Sequence, residues 1–144
     1  MIDHGDFIER LISQCPDFEG RVYDFAQYHR DETAFTMPCA YLYLAGDRAS
    51  DEYGTLDPRQ VMHPTVAVVL VVSATGVDTQ DFSTLAALRE SVRSALRGWI
   101  PDGCFDTVQF LGGQPEELYA ASNKDGVPAI LVWEDRYTTQ YLTS

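Results

Sequence analysis

The chain has 144 residues, 45% of them hydrophobic and 22% charged, which is the size and composition of one globular domain with a single core. Its formal net charge is −12, from 22 carboxylates against 10 basic residues, and the excess is shared between the two halves instead of gathering in a tail. A surface this negative disfavours both nucleic-acid phosphates and anionic membranes, because Lys and Arg make those contacts.

Residues 6–14 place Phe7, Ile8, Leu11 and Ile12 at helical spacing behind Asp3 or Asp6 as a cap, so a short amphipathic helix opens the domain and Pro16 ends it. Residues 21–26 and 39–44 are short and rich in aromatic and β-branched side chains, as strands are, with a polar connection between them. Residues 45–60 hold two glycines, a proline and several acids. They predict an exposed loop or a long hairpin arm, with Arg48, Asp51, Glu52 and Tyr53 as its docking candidates. Residues 65–74 are nearly all apolar and β-branched, the pattern of a central strand covered on both faces.

The clearest helix runs over 79–97, where Phe82, Leu85, Leu88, Val92, Leu96 and Trp99 recur every three or four residues. Gly98 and Pro101 stop it. Residues 107–111 and 129–142 read as strands, with Gly112, Gly113, Asn123 and Gly126 marking turns. This order predicts an α+β fold over 1–144, with an antiparallel or mixed sheet of about four to six strands and two main α-helices packed on it.

No pattern in the chain carries catalysis, a cofactor or a metal. His4, His29 and His63 are scattered, and Cys15, Cys39 and Cys104 form no CxxC pair, so zinc spacing is missing. The odd cysteine count, with no signal-peptide pattern, fits a reducing cytoplasm. The longest apolar run, 66–72, is far short of the roughly 20 residues that span a bilayer. Paired acids at 31–32, 51–52, 116–117 and 134–135 read as solvated faces, and Gly112-Gly113 lacks a phosphate-loop setting.

Arg89, Arg93 and Arg97 stand four apart on the second helix. One reading is local: cations suit a helix C-terminus, and Glu90 lies within reach. The other is that the stripe meets carboxylates of a neighbouring copy, head to tail.

Leu96, Gly98, Trp99 and Pro101, then Gly112 and Gly113, then Trp133, Asp135 and Tyr137 form a pattern that resembles the tail terminator family of long-tailed phages. The resemblance implies a structural subunit, not an enzyme, forming a homo-oligomeric ring, typically of six copies. That ring would cap the tail tube, end its polymerisation and offer a head-proximal joining surface. The implied partners are the tail tube protein and a head-tail connector or stopper protein, with DNA passing unbound. The implied location is the virion tail, assembled in the bacterial host cytoplasm. Another head-tail completion or tube-type subunit is the nearest alternative, and a small acidic hydrolase or adaptor domain a more distant one.

Overall fold

The computed structural model describes residues 1–32, 34–50, 59–73, 80–118 and 130–143. Asp51, Glu52, Tyr53, Asn123, Gly126 and the side chain of Phe82 lie outside the described part.

Helix α1 spans His4–Gln14, and the Asp3 carboxylate accepts from the Gly5 N–H at 2.8 Å, satisfying a first-turn amide. Phe7 and Leu11 are fully buried, whereas Ile12 is exposed, so the apolar stripe is narrower than its spacing predicts. A 3₁₀ turn at Pro16–Phe18 and a left-handed Glu19 lead into β1, Val22–Asp24.

The expected polar connection is instead a structured cover. A second 3₁₀ turn, Phe25–Gln27, runs into the short helix α2, Tyr28–Asp31. Together with the following residues it lays Phe25, Tyr28 and Phe35 against Tyr41 and Tyr43. Aromatic side chains set among polar ones are enough to drive this cover, since each buries a large area.

Strands β2, Cys39–Ala49, and β3, Val61–Ser73, pair antiparallel from Cys39↔Val71 to Ala49↔Met62 with one bulge between Leu44 and Gly46. Residues 45–49 are therefore strand, the hairpin-arm alternative and not the loop. The polar sequence there reflects a hairpin that has left the core, where the ladder continues without apolar burial. Val66 to Val72 are buried throughout, as a central strand covered on both faces requires.

Helix α3, Gln80–Leu96, buries Leu85, Leu88, Val92 and Leu96. Gly98 at φ +75° turns the chain where a side chain would be strained, and Trp99 packs edge-on against Phe7 at 5.1 Å. Strand β4, Gln109–Leu118, pairs antiparallel with β5, Ile130–Thr138, and β6, Tyr141–Leu142, pairs the start of β3. Gly112 and Gly113 thus lie inside β4 and not at a turn. Gly112 occupies the bulge after Phe110 with φ +135°, which only glycine adopts without strain.

The sheet order is β1-β2-β3-β5-β4, mixed because β1 runs parallel to β2 while the other pairs are antiparallel. Helices α1 and α3 cover one face around Phe7, Leu11, Leu42, Leu70 and Leu96. The aromatic segment from β1 to β2 covers part of the other, around Tyr28, Tyr41 and Val71.

Candidate functional site

The three arginines of α3 have three different environments. Arg89 makes a bidentate pair with Asp135, Nε to Oδ2 at 2.9 Å and an amino nitrogen to Oδ1 at 3.0 Å. The Asp135 carboxylate is fully buried, and Trp133 Nε1 donates to its Oδ1 at 2.8 Å. The same guanidinium lies over the Trp133 indole, 4.5 Å from the ring centre. Strand β4 comes close enough that a Cβ at Gly113 would stand 1.8 Å from Asp135 Oδ1 and 2.6 Å from Trp133 Nε1. Gly113, Trp133, Asp135 and Arg89 therefore form one lock that fixes α3 over β4 and β5, with charge-assisted bonds setting the geometry.

The neighbouring acid points the opposite way. Glu134 is buried on the far face of β5, where it accepts from the Tyr43 hydroxyl at 2.5 Å and Arg136 Nε at 2.8 Å. Glu134 and Asp135 are thus two buried, partnered groups and not a solvated pair, because consecutive residues of a strand face opposite sides. Beside them Tyr41 donates to Asp31 at 2.6 Å, and burial first and Asp31 second hold its phenol well above the ordinary range. The alternation Trp-x-Asp-x-Tyr carried this information; adjacency of the two acids concealed it.

Beyond the lock lies a groove of about 390 Å³ between the last turn of α3 and the start of β4. Arg93, Arg97, Thr107, Val108, Phe110 and Tyr137 line it. Arg93 reaches Glu90 at 2.9 Å and stands over the Phe110 ring at 5.3 Å. Arg97 is exposed and its side chain has no ion pair among the described residues. Tyr137 is only 2% exposed, and neither its hydroxyl nor Arg93 Nε has a hydrogen-bond partner among the described residues. Burial raises the Tyr137 pKa, which keeps that hydroxyl a proton donor. Phe110 is exposed at the rim.

Of the hairpin candidates, Arg48 lies in β2 opposite His63 of β3. Its neighbour Asp47 accepts a short hydrogen bond from the Tyr141 hydroxyl, which ties the hairpin to β6. His4 is spent on Asp24 at 2.6 Å, and His29 faces Glu32 at 3.5 Å. Cys15 and Cys39 are buried, with burial pushing the Cys39 thiol up to about 11, so both are poor nucleophiles. Among the described residues no three His, Cys, Asp or Glu side chains are placed to hold a metal ion.

Residues 1–144 match the family model described as "Phage tail terminator protein". No curated protein matches the chain. Among solved structures it is similar to a chain of the "Virion of native gene transfer agent (GTA) particle", at 14% identity and a TM-score of 0.57, over 95% of this chain and 92% of that one. A likeness at that identity is one of fold.

Proposed function

Since the chain belongs to the phage tail terminator family, whose members are structural proteins and not enzymes, we propose that it caps a tail tube and ends the tube's polymerisation. In this reading its outer side forms the head-proximal joining surface for a connector or stopper protein. It acts as a ring of its own copies, six in number, assembled in the host cytoplasm and carried in the virion tail. The observation that carries the reading is the family match across the whole chain.

The physical chemistry agrees with this role. The pattern residues Gly113, Trp133 and Asp135 serve the lock, so they explain a shared fold without invoking a reaction. The net charge of −12 repels phosphate, and a wall that repels DNA lets it pass without retaining it. The β2–β3 hairpin, with Arg48 in its described stem and Asp51, Glu52 and Tyr53 beyond, is the proposed docking arm toward the tube protein.

Purified protein added to polymerising tail tube protein tests this. Tubes should stop growing at a length set by the time of addition, each with density at one end in electron micrographs. Tubes that lengthen as they do without it would refute capping.

A further inference from the structure

We propose that the basic groove beside β4 receives the acidic turn Pro16–Gly20 of a second copy, so that the β1 edge of one subunit meets the β4 edge of the next. This rests on the ring reading above and adds the contact that would build the ring.

The groove is an anomaly in a chain of net charge −12. Arg93 and Arg97 stand one turn apart, a spacing at which like charges repel, and Arg97 has no ion pair among the described residues. The Tyr137 hydroxyl and Arg93 Nε there are buried donors without a hydrogen-bond partner among the described residues. Exposed Phe110 adds an apolar rim. Cationic donors beside an apolar rim suit a carboxylate carried on a compact turn.

The turn supplies that shape. Phe18 is fully buried and anchors it, Pro16 stiffens its first position, and Asp17 and Glu19 stand exposed on either side of the anchor. Glu19 sits at φ +51° and ψ +38°, where glycine or asparagine is the unstrained choice. The backbone therefore gives no reason for a glutamate, while its side chain, 74% exposed even though paired with Arg21 at 2.7 Å, still offers acceptor capacity.

Placement supports one pairing mode. The turn leads directly into β1, at one end of the sheet order, and the groove adjoins β4 at the other. Contact between two different patches is head-to-tail and closes a ring when its rotation permits. A two-fold contact of groove on groove would instead set arginine against arginine.

Charge reversal tests it by sedimentation, with circular dichroism to check the fold. The wild type should assemble. Arg97→Glu should raise the concentration for half-assembly by about tenfold or more, as should Asp17→Arg with Glu19→Arg, and the three changes combined should return it toward wild type. A wild type that stays monomeric at every concentration overturns the ring reading and this contact with it. A wild-type ring with Arg97→Glu assembling normally leaves the ring standing and overturns the contact. Two disruptive variants whose combination gives no recovery overturn the pairing. Intact Arg97→Glu rings that no longer cap tubes overturn it in favour of an acidic segment of the tube protein.

Discussion

Asp135→Ala tests the lock that holds α3 over β4 and β5. The change removes two bonds from Arg89 and one from Trp133, leaving a cation and an indole N–H with no acceptor. Stripping one partner from a buried ion pair costs about 3–5 kcal/mol. Asp135 is fully buried, but the Arg89 side chain retains 22% exposure and recovers some hydration, which favours the lower end, about 3 kcal/mol. For a chain of this length the unfolding entropy is about 0.3 kcal/mol per degree, so the melting temperature should fall by about 10 °C. Gly113→Ala should cost about as much, because its Cβ, 1.8 Å from Oδ1, expels the same carboxylate. The two costs then share one cause. The double variant should be less destabilised than the sum by about 1–2 kcal/mol, measured by calorimetry or denaturant titration. Additive costs, or a loss below about 1 kcal/mol for Asp135→Ala, would refute the lock.

The tyrosines give an alkaline test. Burial raises the pKa of Tyr41, Tyr137 and Tyr141, the last to about 12, so the folded state favours their neutral forms. Stability from them should be complete below about pH 10 and decline above it, with Tyr41 and Tyr137 ionising at 295 nm only as the fold is lost. Simultaneous ionisation of all 8 tyrosines near pH 10 in the folded protein would contradict this. At the acid end the Ala26 N–H, and then His4, hold Asp24 below its usual range. Its contribution is present above about pH 4 and lost below, so the melting difference between wild type and Asp24→Ala should shrink as pH falls from about 5 to 2; a constant difference would assign the loss to packing. Removing residues 51–58 should spare the thermal midpoint and impair tube capping, and unchanged capping would end the docking-arm proposal.

Much of the fold was legible because its signals are local. The run at 65–74 and the series Leu85, Leu88, Val92 and Leu96 announce a central strand and a core helix through their periods alone. The β2 ladder past Leu44 was half legible, because a hairpin beyond the core needs no apolar alternation and its polar sequence fits a loop as well as a hairpin arm. The Tyr28 cover was obscured by the polar residues around it. The site was less legible, since ion-pair partners are set by tertiary placement. Arg89, Arg93 and Arg97 look equivalent on a helix, yet only the fold brings Asp135 of β5 to Arg89 and leaves Arg97 exposed. Gly113 looked like turn punctuation, while its role is to leave room for a carboxylate on the next strand.

The most direct measurement of function is tail length in cells that assemble the tail without this chain. If the chain is the stop, electron microscopy should show tubes running beyond normal length and lacking joined heads, and restoring the chain should restore the length. Tails of normal length joined to heads in its absence would contradict a terminating role.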